Sequence, residues 1–407
     1  MMKRIIIINQ PSSNRGDEAA HRSLVRKINA SLPEAKVEVI YTQESENTAK
    51  QMTVQGESNS YSIIRLNIRG MNGFFPKLIV KYDLFSFVKI YTGYRKIFNK
   101  IKNADIVICA PGGICMGGFH NWNHLFFLGL AFYAKKEIIY YSRSIGPFSS
   151  ICKEFKIFNR RSLDLLRKMS FISLRDKKSM VIAQDLGIEF IPSIDTAFLD
   201  VPEAKISSEL KLEIGNNYII FVPNSLTWHP AFKSARQDII DNFYLKVIDY
   251  LLDKFPTSNI VMLPQLFNAE NSDYQYFNKL KNANKNNRIV VVNEEFGSDI
   301  QQKIISDAKF VIGARYHSIV FSINNEIPFV ALNYEHKIAG LLEVLGLTRV
   351  KVDITNLGTK FCDEAYLLNQ INDVICNAIS IDELKTAHSE AYKIACDCYN
   401  KMLTFIK

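Results

Sequence analysis

The 407-residue chain has no apolar run long enough to cross a membrane; its longest, LFFLGLAFYA at Leu125–Ala134, is about half a span. The four isoleucines of MMKRIIIINQ are too few for a signal-peptide core, so a cytoplasmic chain is expected. RNA-recognition motifs, zinc-finger spacings and dense arginine tracts are missing. This argues against a nucleic-acid partner although the net charge is +9. Neither G-x-G-x-x-G nor the P-loop pattern occurs. The seven cysteines are odd in number and irregular in spacing, and only Cys396 and Cys398 lie close. They read as reduced thiols, with no metal cluster. Internal repeats and low-complexity tracts are absent as well. What remains is a globular composition, 47% apolar and 22% charged, with 27 Phe and 18 Tyr. Its positive balance suits anionic lipid or phosphorylated small molecules.

The pattern that is present is one of short apolar runs ending at Gly, Pro or polar turns, each followed by a longer helical segment. RIIIINQ, ADIVICAPGG, EIIYYSRSIGP, FISLRD and IEFIPSID form a first set. NYIIFVPNS, SNIVMLPQ, RIVVVNEE, KFVIGARYHS and PFVALNYEH form a second. Continuous apolar strands alternating with helices predict parallel sheets covered on both faces. Two sets predict two doubly wound, Rossmann-like α/β domains, 1–200 and 201–380, parted near the polar stretch DVPEAKISSELKLEIGN. Residues 381–407 read as a long helix returning to brace the domains.

Ligands of such sheets bind beyond the carboxyl ends of the strands, so the strand-end loops of both domains are expected to face one cleft. After the first strand, Asn14 and Gly16 lie in a strand-to-helix turn, with Asp17 and Glu18 in the first helical turn, where the dipole favours acids. Helix capping explains them, as does Asp17 serving as a sugar ligand or a base. In APGGICMGGFHNWNH, Gly112 and Gly113 let backbone amides approach a ligand. His120 and Trp122 add a polar and aromatic patch on which a sugar ring could stack; a merely tight loop fits equally well. Arg175 precedes Asp176 after another strand, as a local ion pair or an anion ligand, and Asn224 closes a strand of the second set. The sharpest motif is GARYHS. Arg315 offers a planar fork for carboxylate or phosphate, and His317 exchanges a proton near neutral pH. Tyr316 and Ser318 open a helix whose N-terminus attracts anions. Lys337, in LNYEHK, supplies a second positive charge or a solvated turn.

One stretch stands apart, residues 74–103. It carries five lysines and one arginine from Lys77 to Lys100, and then Lys102, against the single acid Asp83, with eight Phe or Tyr interleaved. It reads either as a peripheral contact with an anionic membrane surface or as helices packing their aromatics inward.

The ordered set NRGDEA, APGGICMGG, SIGPF, ISLRD, SIDTAFL and GARYHSIVFSINNEIPFVALNYEHK resembles the polysaccharide pyruvyl transferase family across roughly residues 10 to 345. Arg143 and Ser144 stand where that family commonly has Gln-Gly. The resemblance implies a fold similar to GT-B glycosyltransferases. It also implies transfer of a pyruvyl group from phosphoenolpyruvate, as co-substrate and without a cofactor, to a sugar of an undecaprenyl-linked glycan. The product is a cyclic ketal, with phosphate released, in capsule or exopolysaccharide assembly at the inner face of the membrane. On that reading His317 and Asp17 are catalytic. Arg315, Arg175, Lys337, Tyr316 and Ser318 hold the donor, on the side of the second domain. Asn14, Gly112, Gly113, His120, Trp122 and Asn224 hold the acceptor. A GT-B glycosyltransferase using a nucleotide sugar is the alternative.

Overall fold

The computed structural model describes residues 3–11, 14–41, 62–64, 74–148, 153–267, 272–293 and 296–407. It divides into two compact units. The first comprises Met1–Ser12, Asp17–Asp200 and Lys393–Lys407, and the second Ser13–Gly16 and Val201–Tyr392.

The first unit is built on seven parallel strands: β1 Arg4–Gln10, β2 Lys36–Tyr41, β3 Ser62–Ile64, β4 Ile106–Cys109, β5 Ile138–Arg143, β6 Phe171–Leu174 and β7 Ile191–Pro192. Their order is β3-β2-β1-β4-β5-β6-β7. Among the described residues six helices connect them: α1 Arg15–Ser31, α2 Phe74–Tyr82, α3 Thr92–Lys102, α4 Trp122–Tyr133, α5 Lys153–Leu166 and α6 Lys177–Asp185. Ile5 to Ile8 and Ile106 to Cys109 are buried throughout, as strands covered on both faces require.

The second unit repeats the plan with β8 Tyr218–Val222, β9 Asn259–Met262, β10 Ile289–Val291, β11 Val311–Gly313, β12 Phe329–Asn333 and β13 Lys351–Asp353, in the order β10-β9-β8-β11-β12-β13. Its helices are α7 Ser208–Ile214, α8 Gln237–Lys254, α9 Asp273–Asn284, α10 Ser298–Ser306, α11 Tyr316–Asn324, α12 His336–Val344 and α13 Glu364–Cys376. The last helix, α14 Ile381–Ile406, is not a separate piece: it starts in the second unit and, from Lys393, belongs to the first. Two doubly wound Rossmann-like sheets are thus present, as the strand pattern predicts. The pattern understates them by β2, β3 and β13, and it overstates IEFIPSID, of which only Ile191–Pro192 is strand.

In each sheet the strand order reverses at one place, between β1 and β4 and between β8 and β11. Those switch points are where doubly wound sheets receive ligands. Among the described residues no helix is long and apolar enough to cross a membrane. None of their His, Cys, Asp and Glu side chains cluster as metal ligands.

Candidate active site

At the switch point of the second unit, β11 ends at Gly313 and α11 begins at Tyr316. Arg315 is therefore the N-cap, and His317 stands in the first helical turn, where unpaired amides and the helix dipole favour negative charge. Arg315 pairs with Asp273. The other carboxylate oxygen of Asp273 accepts from the amides of Gln265 at 3.0 Å and Leu266 at 2.9 Å. Asp273 is thereby fixed and in turn fixes the guanidinium. The guanidinium carbon lies 5.7 Å from the centroid of the Trp228 ring, a cation–π arrangement. The Trp228 indole N–H donates to Asn224 Oδ1 at 2.9 Å. Burial works against the charge on Arg315, but Asp273 and then the Tyr334 phenol outweigh it and raise its pKa.

The array continues from Trp228 to His229, 5.5 Å away edge to face, and from His229 to Tyr334 at 5.6 Å. Glu335 is the hub beyond. Its Oε2 lies 3.4 Å from Lys337 Nζ and 4.0 Å from His229 Nε2, and its Oε1 accepts from the Tyr334 hydroxyl at 3.2 Å. Burial pushes the His229 pKa down, against the pull of Glu335, and its Nδ1 accepts from the Ala231 amide at 3.3 Å.

Burial alone would raise the Glu335 pKa, yet Lys337, His229 and His336 hold it below the usual carboxylate range. A carboxyl depressed in the fold stabilises it above its unfolded pKa, and that contribution is lost as pH falls through the folded value. Glu335→Gln should therefore be less stable than the parent at neutral pH and equal to it in strong acid, read from urea midpoints across that range. A gap that does not change with pH would contradict this assignment.

His317 packs on Gly16, which the segment Ser13–Gly16 brings into the second unit. A Cβ at Gly16 would overlap the imidazole at Nδ1, Cγ and Cε1. Gly16 is helical, so its role is this close approach rather than a special backbone conformation. The segment is held firmly. The Arg15 amide donates to the Gln265 carbonyl at 3.0 Å, Arg15 Nε donates to the Phe296 carbonyl at 2.8 Å, and Asn14 Oδ1 accepts from the Gly16 amide at 2.8 Å. On its other sides the His317 ring meets Tyr316 edge-on at 5.0 Å and Phe321 at 6.0 Å.

The switch point of the first unit gathers Asp17, Gly112 and Arg143. A Cβ at Gly112 would stand 3.2 Å from Asp17 Oδ1 and 3.4 Å from Arg143 Nη1, so carboxylate and guanidinium flank the same backbone. Arg143 is fully buried and donates to the Ala110 carbonyl, to the Gly113 carbonyl at 3.0 Å and to Cys115 Sγ at 3.0 Å.

Several expected groupings change. Arg175 belongs to the first unit, where it pairs with Asp195, because β6 and β7 are neighbours and their ends adjoin. Asn224, expected with the acceptor residues, lies in the second unit under Trp228, and Asn14 also falls in the second unit. The Ser318 hydroxyl is buried and donates to the Arg315 carbonyl at 2.6 Å, closing the helix start. His120 is stacked on Phe155 at 4.0 Å, and Trp122 packs edge-on to Phe158 at 5.0 Å against the core. Both residues remain partly exposed. Sequence reading passed over Asp273, Trp228, His229 and Arg143. The pair WHP shortly after β8 was the one local signal; the partners of Arg315 and Asp17 come from distant segments.

Comparison with known proteins places this geometry. A sequence model described as "Polysaccharide pyruvyl transferase" matches residues 14–336. The amylovoran biosynthesis protein AmsJ of Erwinia amylovora is 23% identical over 414 residues, covering 94% of either chain. Two solved structures share the fold alone. The UDP-GlcNAc 2-epimerase of Neisseria meningitidis has a TM-score of 0.61 at 12% identity, covering 99% of this chain and 100% of that one. A glycosyltransferase of Rickettsia africae has a TM-score of 0.52 at 13% identity, covering 100% and 98%. The matched residues contain both switch points, with Asp17, Arg143, Arg315 and His317, and the chain belongs to the polysaccharide pyruvyl transferase family.

Proposed function

We propose that the chain transfers the pyruvyl group of phosphoenolpyruvate to a sugar of a lipid-linked glycan, forming a pyruvate ketal in exopolysaccharide synthesis. The observation that carries this reading is the pairing of a fixed guanidinium, Arg315, with an imidazole, His317, at the mouth of α11 in a chain of this family. Phosphoenolpyruvate brings a carboxylate and a phosphate; Arg315, Lys337 and the first turn of α11 are the groups assigned to them. Tyr316 lines the same turn.

The chemistry balances as follows. His317 delivers a proton to the methylene carbon, and positive character develops at the carbon bearing the phosphate. A sugar hydroxyl attacks that carbon, its proton passing to Asp17 or back to His317. The C–O bond to phosphate then breaks, with Arg315 stabilising the departing charge. The second hydroxyl closes the ketal and its proton leaves with the phosphate. The acceptor is assigned to the first unit, around Asp17, Gly112 and Gly113, with Arg143 fixing the loop that carries the glycines. The name of the Erwinia amylovora relative, an amylovoran biosynthesis protein, supports an exopolysaccharide setting.

Thermal unfolding in the presence of candidate donors tests the donor assignment. Phosphoenolpyruvate should raise the midpoint, and Arg315→Met should abolish that rise. A rise with UDP-sugars and none with phosphoenolpyruvate would replace this reading with glycosyl transfer.

A further inference from the structure

We propose that the first unit docks on an anionic lipid surface through the segment Phe74–Lys102. Eleven large apolar side chains among the described residues are at least half exposed, and six of them lie within Phe74–Tyr91: Phe74, Phe75, Tyr82, Phe87, Ile90 and Tyr91. The other five are spread from Leu212 to Ile381. A concentration of this kind marks an interaction surface rather than the scattered exposure normal for a soluble face.

The segment is not loose. Its inward side enters the core: Pro76, Ile79 and Val80 from α2, Phe85 and Val88 from the short 3-10 turn Phe85–Lys89, and Ile97, Phe98 and Ile101 from α3. Phe85 stacks on Phe126 and on Tyr133, each at 6.2 Å. The inward-packing reading of this stretch therefore holds for its inner side and leaves an exposed outer side. The inner aromatics pack, and packing them forces the intervening Phe87, Ile90 and Tyr91 outward.

Charge decides the occupant. Lys89, Arg95, Lys96 and Lys102 of the same segment are exposed and Lys81 is half-buried, with Asp83 the one acid; Lys89 Nζ lies over the Phe98 and Tyr133 rings at 5.6 and 5.2 Å. Among the described residues the ion pairs of this segment join Lys77 to Glu154 and Lys100 to Glu38. Aromatic and aliphatic side chains ringed by lysines, on short helices lying along a surface, match the interface of a bilayer with anionic headgroups. A second copy of this chain would bring the same positive charge to the patch and be repelled.

The test is co-sedimentation of the full chain with vesicles of phosphatidylcholine and phosphatidylglycerol in equal parts, against vesicles of phosphatidylcholine alone, at low and high salt. Binding should require phosphatidylglycerol and fall with salt. Replacing Lys81, Lys89 and Lys96 by Gln should lower the partition coefficient about 100-fold. Replacing Phe87, Ile90 and Tyr91 by Ser should lower it about tenfold and leave the salt slope unchanged. All six positions are on the outer side or rim, so folding is checked by the thermal midpoint rather than assumed. No binding at low salt, equal binding to neutral vesicles, or binding undiminished in either variant would overturn the proposal. So would sedimentation equilibrium showing a dimer that the Ser variant dissolves.

Discussion

Alanine at Gly16 should cost about 100-fold in kcat/KM while leaving the chain folded. The added methyl occupies the space of the His317 imidazole, and the ring has nowhere to yield, with Tyr316 and Phe321 on its other sides. On the proposed mechanism its displacement moves the proton donor away from the reacting carbon, and a misplacement of about 1 Å is enough for a loss of this size. The backbone alone predicts the opposite sign for stability. Gly16 is in helical conformation, where alanine is favoured over glycine by about 1 kcal/mol. The same substitution made in a His317→Ala background should therefore be harmless or stabilising, because the ring it strikes is gone. A double-mutant cycle in kcat/KM and in unfolding free energy separates the two effects. Full activity in Gly16→Ala would mean that the His317 ring does not need this seat.

Arg315→Met should abolish detectable turnover and also lower stability by about 3–5 kcal/mol, because it strands a buried carboxylate. The Asp273 carboxylate has almost no exposure and, besides Arg315, accepts only from the Gln265 and Leu266 amides among its described hydrogen-bond and ion-pair partners. Those two amides satisfy one oxygen and leave the other facing methionine. The companion variant, Arg315→Met with Asp273→Asn, removes the stranded charge and keeps an oxygen for the amides. It should recover most of the lost stability and none of the activity. Urea unfolding and turnover, measured together on both variants, distinguish a guanidinium kept for folding from one kept for the donor. Recovery of activity in the double variant would assign Arg315 to folding alone.

How much of this could be read from residues follows from what kind of contact is involved. The strands β1, β4, β8, β11 and β12 are runs of buried apolar residues, and such runs advertise themselves. β2 does not: KVEVIY alternates charge with valine because it lies near the edge of its sheet. β3 and β13 have three residues each, too few to show a period. At the site, Arg315 and His317 were legible because strand, turn and helix are consecutive there. Asp273 was not, since it stands 42 positions away and meets Arg315 only through the β8–β9–β11 arrangement. The partner of Arg175 was hidden for the same reason. Its sequence shows a cation at a strand end, and only the register of β6 with β7 reveals that Asp195 answers it. Gly16 was noticed as a tight turn, whereas its actual constraint is a ring from a residue three hundred positions on.

The most direct test of the central claim is phosphate release from phosphoenolpyruvate by the purified chain, with and without lipid-linked acceptors ending in galactose, mannose or N-acetylhexosamine. The account predicts release that requires one of these acceptors, yields a ketal in proportion, and falls about 100- to 10,000-fold in His317→Ala. Acceptor-dependent release that survives unchanged in His317→Ala would contradict it.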